Sequence, residues 1–161
     1  MSFHGGLLGI IITTLIFSKK KGFDKLVLLD VVACVAPVGI FFGRLANFIN
    51  GELFGKTTDI PWSVIFPAVD DQARHPSQIY EALLEGVLLF LVLNFVIRKT
   101  NYIRGKSAAL FLIFYSIFRS ISEIYREPDI QIGYIYNFIS MGSLLSIFMF
   151  ACGIIMYIKI K

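Results

Sequence analysis

A chain of 161 residues that is 57% hydrophobic and only 16% charged, with mean hydropathy +0.75, is too apolar for a soluble domain, which carries about 25% charged residues. So short a chain cannot bury that much apolar surface within itself, so the surrounding medium must be lipid. The formal charge of +4 does not point to nucleic acid, because the basic residues fall in short clusters between apolar runs, the pattern that writes membrane topology.

A membrane span needs about 20 mainly apolar residues. Five runs meet or approach that length: Phe3–Phe17, Leu26–Phe42, Ile79–Ile97, Ala108–Tyr125 and Tyr134–Ile158. The first opens as MSFHGGLLG, where Gly5 and Gly6 beside His4 let a backbone or ligand approach closely. No basic stretch precedes it, so it does not read as a cleavable signal peptide. The second run contains Pro37, predicted to bend it and free a carbonyl. It ends in GRLANFINGELFG, placing Arg44, Asn47, Asn50 and Glu52 at the membrane boundary. The planar donor fork of Arg44 suits a phosphate.

The one long connection, Gly43–Ser77, holds Gly51, Gly55, Pro61, Pro67 and Pro76, with Trp62 and Phe66 suited to an interface. Two short helices or an interfacial loop are expected there. The third run begins with Gln78, Tyr80, Glu81 and Glu85 after Arg74-His75. Two like charges a turn apart call for partners or water. The fourth carries Arg119 and Glu123 at i, i+4, with Tyr115 a turn earlier and Arg126 just beyond. Charge inside a membrane costs several kcal/mol, which makes it a functional hypothesis; the competing reading is a neutralised pair that locks two helices. Cys34 and Cys152 lie in apolar runs without metal or redox spacing, so no disulfide is expected.

Ten basic residues (Lys19, Lys20, Lys21, Lys25, Arg98, Lys99, Arg104, Lys106, Lys159 and Lys161) alternate along the chain with four (Arg44, Lys56, Arg74 and Arg126). The positive-inside rule then puts the amino terminus outside and the carboxyl terminus in the cytoplasm. Two arginines, amides, carboxylates and an imidazole collect at the outer face. That set suits a reaction on an anionic lipid head group, with arginine on the phosphate and histidine taking a proton. The two histidines lack ligand spacing and no glycine-rich nucleotide loop is present, so neither metal nor cofactor is expected.

Four stretches, MSFHGGLLG, GRLANFINGELFG, RHPSQIYEALLEG and FRSISEIYREPD, together resemble the successive motifs of bacterial prolipoprotein diacylglyceryl transferases. The resemblance covers essentially the whole chain. It implies an all-α, polytopic integral membrane bundle of about five transmembrane helices, against about seven in the family. Residues 1–161 would form a single transmembrane domain, and 43–77 an outward-facing loop or interfacial segment. The family transfers diacylglyceryl from phosphatidylglycerol to the sulfhydryl of the lipobox cysteine in a prolipoprotein signal peptide. A thioether forms and glycerol phosphate leaves; the setting is the bacterial cytoplasmic (inner) membrane, with the site toward the outer face. By resemblance, His4 is a base, Arg119, Glu123 and Tyr115 join it in catalysis, and Arg44, Asn47, Asn50, Glu52 and Gly55 bind phosphatidylglycerol. Lys56 stands where many relatives have arginine. The family carries about a hundred residues before the histidine motif, so the chain resembles a carboxyl-terminal portion. An inactive fragment or non-catalytic lipid-binding subunit is the alternative. A transporter is disfavoured because the polar residues stay at one face.

Overall fold

The computed structural model describes the backbone of residues 3–99, 103–127, 134–135 and 139–160, and the side chains of those residues except 3–4, 7, 96–99 and 134–140. It is mainly helical. The helices are α1 (Phe3–Lys21), α2 (Lys25–Ile49), α3 (Ser77–Glu81), α4 (Leu89–Lys99), α5 (Lys106–Glu123) and α6 (Met141–Lys159). A π-helical stretch, Ala82–Leu88, joins α3 to α4 without a break, so five rods stand where five apolar runs were read. Three of them are long and apolar enough to cross a membrane: Lys25–Ile49, Ser77–Phe95 and Met141–Lys159. At about 1.5 Å per residue, the 25 residues of α2 exceed the ~30 Å hydrocarbon core.

Two small departures from an all-α reading appear. Strand β1 (Val64–Ile65) pairs antiparallel with β2 (Ala73–Arg74), Val64 opposite Arg74. Strand β3 (Tyr134–Ile135) pairs antiparallel with β4 (Ile139–Ser140), so the last apolar run becomes helical only from Met141. Aromatic and β-branched residues such as Tyr134, Ile135 and Ile139 favour the pleated pair. The connection after α2 is therefore a loop with a β-ribbon, not two helices, and α2 itself runs on to Ile49.

Helix α5 occupies the centre. It packs most extensively along α6, and also against α2 and the α3–α4 rod. Its buried face, with Phe111, Tyr115 and Phe118, meets Ala33, Leu89, Leu93 and Met149 in one core. The opposite surfaces of α2 and α6 expose Val31, Val35, Phe42, Phe148, Ile155 and Ile158, the apolar belt that lipid contact requires.

Asp30 fixes α5 from the side. Its buried carboxylate accepts from the N–H of Gly105 (2.7 Å) and of Ala108 (2.9 Å), supplying partners for a helix start that lacks its own. Gly105 sits at φ +84°, a conformation that favours glycine. Below it Asp24 caps α2 through the Leu26 N–H (2.8 Å) and pairs with Arg104 (2.9 Å). The Leu26 N–H, and then Arg104, hold the Asp24 carboxyl below the usual carboxylate range.

Candidate active site

The site is built where α2 ends, α3 begins and α5 ends. Glu81 closes α3 and Glu85 lies in the first turn of the π-helical stretch; both are fully buried. Such stretches are rare and are frequently found at functional sites. From α2, Arg44 Nη1 lies 2.9 Å from Glu81 Oε2, and Nη2 donates to Glu85 Oε2 at 3.0 Å. From α5, Arg119 donates through Nη1 to Glu81 Oε1 and through Nη2 to Glu123 Oε2 at 2.5 Å. Arg126 Nη1 reaches Glu81 Oε1 at 3.5 Å, and the Ser122 hydroxyl lies 3.3 Å from Glu85 Oε1.

Three guanidinium groups thus meet three carboxylates, and the cluster is formally neutral. Burying an isolated charge is prohibitive, so each group depends on the others. The expectation of partners for Glu81 and Glu85 is met by Arg44 and Arg119 together. The i, i+4 contact between Arg119 and Glu123 is one edge of a larger network. Tyr115, one turn before Arg119, is buried and stacked on Phe111 with ring centroids 5.6 Å apart.

A cavity of about 980 Å³ opens beside this network, between α1, α2, α5 and α6. Arg44, Asn47 and Glu52 line it where α2 finishes; Leu29, Ala108 and Met156 line it toward the start of α2. Ligand sites are typically about 300–1,000 Å³, mostly apolar, with a few placed polar groups. Arg44 joins the two features, since it lines the cavity and also binds Glu81 and Glu85. A guanidinium has five N–H donors, so donors remain for a ligand.

The rim of the cavity is held from α3. Gln78 Nε2 donates to the Glu52 carbonyl at 2.6 Å, and Ser77 Oγ to the Leu53 carbonyl at 3.1 Å. Leu53 takes φ +55°, a left-handed conformation that persists only where surrounding contacts over-determine it. These grips aim the loop that carries Glu52.

The other residues expected in the site fall elsewhere. Asn50 is exposed at the end of α2, where its N–H donates to the Ala46 carbonyl (2.9 Å), and it does not line the cavity. Gly55 is buried in the loop: its N–H donates to the His75 carbonyl (3.1 Å), and it bridges to Arg126. A Cβ there would sit 2.6 Å from His75 Cβ and 2.8 Å from the Tyr125 carbonyl, so glycine allows two backbones to touch. Arg74 completes that junction, donating to the Gly55 carbonyl (3.1 Å) and pairing with Asp70, whose carboxyl it holds below the usual range. His4 belongs to the first turn of α1, and its side chain lies outside the described residues. Gly6, two residues on, lines the cavity.

Ser122 was missed because serine is common in apolar helices and carries no signal until Glu85 faces it. Also unforeseen is the group in which Trp62 Nε1 donates to the Tyr80 hydroxyl (2.8 Å) and His75 Nδ1 lies 3.3 Å from the same oxygen.

Fold and site together define a helical membrane protein with a buried arginine–glutamate network at the head of an apolar cavity. A family model described as prolipoprotein diacylglyceryl transferase matches residues 1–159, and the chain belongs to that family. It is similar to the phosphatidylglycerol–prolipoprotein diacylglyceryl transferase of Rickettsia bellii (strain OSU 85-389), 51% identical over 161 residues, covering 99% of this chain and 61% of the relative. The enzyme of the same name from Ehrlichia canis (strain Jake) is 53% identical over 157 residues, covering 95% and 60%. That of Rhodospirillum rubrum is 48% identical over 161 residues, covering 98% and 59%. The chain spans about 60% of the length of these curated relatives.

Proposed function

We propose that the chain forms the lipid-binding and reacting part of a phosphatidylglycerol–prolipoprotein diacylglyceryl transferase. The observation that carries this reading is the placement of Arg44, Asn47 and Glu52 at the head of an apolar cavity, with Arg119 one carboxylate away. In this reading phosphatidylglycerol lies with its acyl chains in the cavity and its phosphate on Arg44.

The lipobox thiol attacks the glycerol carbon that bears the phosphate ester. The new C–S bond forms as the C–O bond breaks, and glycerol phosphate leaves with the bonding electron pair and, finally, the thiol proton. A free thiol has a pKa of about 8.5, so a base or positive field is needed near neutral pH. His4 or Arg119 supplies that help; arginine, which stays charged, acts through its field and not as a base. Glu123 holds Arg119 in place with Tyr115 one turn before it, and Arg44 bears the charge growing on the phosphate. Asn50 and Gly55, outside the cavity wall, shape the loop that carries Glu52.

The topology in this reading has the amino terminus outside and the carboxyl terminus in the cytoplasm. The 43–77 segment and the cavity head then face outward from the bacterial inner membrane, where signal peptides emerge. The test separates the two arginines. Arg119→Ala is expected to lose transfer while still binding phosphatidylglycerol, and Arg44→Ala to lose binding. The opposite pattern would reverse their roles, and full transfer by both variants would refute the site.

A further inference from the structure

The cavity has a depth, and the residues along that depth point to a ruler for acyl chains. Leu29 lies fifteen residues before Arg44 on α2, about 22 Å along the axis at about 1.5 Å per residue. One leaflet of a bilayer is about 15 Å of hydrocarbon. The cavity therefore offers more than one leaflet's depth below Arg44, with Leu29, Ala108 and Met156 toward its far end.

Between head and floor, the α2 wall carries Gly43 and Gly39, four residues apart and so on one face. Glycines in membrane helices usually let helices approach closely. Gly86 does so: a Cβ there would lie 2.7 Å from Phe41 Cβ. Gly39 and Gly43 do the reverse, because a Cβ at either would meet nothing within 4 Å. Glycine weakens a helix interior relative to alanine, and among the described residues no packing contact compensates for it. What the two glycines provide is room in the cavity.

Resting on the reading above, we infer that Gly39 and Gly43 keep the lipid passage open, and that the deeper wall from Val32 to the Leu29–Met156 floor sets the acyl-chain length accepted. Gly39 lies about 7.5 Å below Arg44 on the same scale, which acyl chains of either length pass, so a larger side chain there obstructs both; Val32, also on the cavity wall, lies about 18 Å below, where only a long chain reaches. Room for a leucine at Gly39 exists, and leucine is a better helix former than glycine, so that variant is expected to fold.

The experiment measures, by native mass spectrometry of the full chain in detergent, binding of dioctanoyl against dipalmitoyl phosphatidylglycerol, with transfer as a second readout. In Val32→Trp, dioctanoyl lipid is expected to bind as in the parent and dipalmitoyl lipid to bind at least about tenfold more weakly, the loss expected from displacing two buried methylenes, whereas Gly39→Leu should weaken both. Met156→Ala should extend acceptance toward longer chains. Val38→Leu, at an exposed neighbouring position that does not line the cavity, should leave the preference unchanged. Equal retention or equal loss of both lipids in Val32→Trp, or full retention of both in Gly39→Leu, would overturn the ruler alone. A parent chain that binds phosphatidylglycerol of neither length would overturn the underlying function as well.

Discussion

Replacing Glu81 by glutamine removes one negative charge from the centre of the arginine network while keeping the side chain's volume. Glu81 is fully buried and is the only described carboxylate in contact with all three of Arg44, Arg119 and Arg126. After the change three cations face Glu85 and Glu123 alone, and the cluster carries a net positive charge in a dry setting. Breaking a buried ion pair by removing one partner costs about 3–5 kcal/mol. For a chain of this size about 1 kcal/mol shifts the melting temperature by about 2–4 °C, so Glu81→Gln should lower it by about 6–20 °C. Glu123→Gln is the comparison, because Glu123 is more exposed (13%, against 0% for Glu81) and its ion pair is with Arg119; it should cost about 1–3 kcal/mol. Thermal unfolding in one detergent, followed by far-ultraviolet circular dichroism, measures both. A Glu81→Gln chain that melts within about 2–4 °C of the parent would refute the view that the three arginines depend on this carboxylate.

Gly55→Ala should destabilise the loop by about 1–3 kcal/mol, because the new methyl group meets His75 and Tyr125 at sub-van der Waals distance. Faster amide exchange in the loop and at the end of α5 is the readout. Asp24 has a depressed pKa in the folded chain, so its capping contribution is complete above the unfolded carboxylate pKa and is lost as pH falls through the lower folded value. Protection of the first-turn amides of α2, taken relative to their intrinsic exchange at each pH, should therefore be constant near neutral pH and fall only below about pH 4. Trp62 is the only tryptophan; it is 61% exposed and bonded to Tyr80. Its fluorescence in vesicles should be quenched more by bromines near the head groups than by bromines deep in the acyl chains. Quenching by aqueous acrylamide alone would contradict an interfacial position.

The apolar runs located all five rods because lipid exposure leaves a long, uninterrupted hydropathy signal. Arg44, Asn47 and Glu52 were legible as one constellation because they share a single stretch of chain, and Arg119 with Glu123 because a helix puts i and i+4 side by side. The rest depended on contacts distant in sequence. Asp30 lies in the second apolar run without drawing notice, and only the fold shows it capping α5 some 75 positions later. Trp62 and Phe66 looked alike as interfacial aromatics, yet Phe66 is buried against Phe48 and Phe54 while Trp62 is exposed. Gly55 resembled a ligand-binding position; its local sequence cannot reveal that His75 and Tyr125 press on it from two other segments. The end of α2 was drawn too early because Arg44 and Asn47 look like boundary residues, whereas Glu81 and Glu85 let Arg44 remain inside the helix.

The central claim is tested most directly by incubating the purified chain in phosphatidylglycerol vesicles with a lipobox peptide carrying one free cysteine, and weighing the peptide. The account predicts a mass gain of one diacylglyceryl group on that cysteine, absent with phosphatidylcholine vesicles and lost in His4→Ala or Arg119→Ala. An unchanged peptide mass from demonstrably folded chain would contradict it.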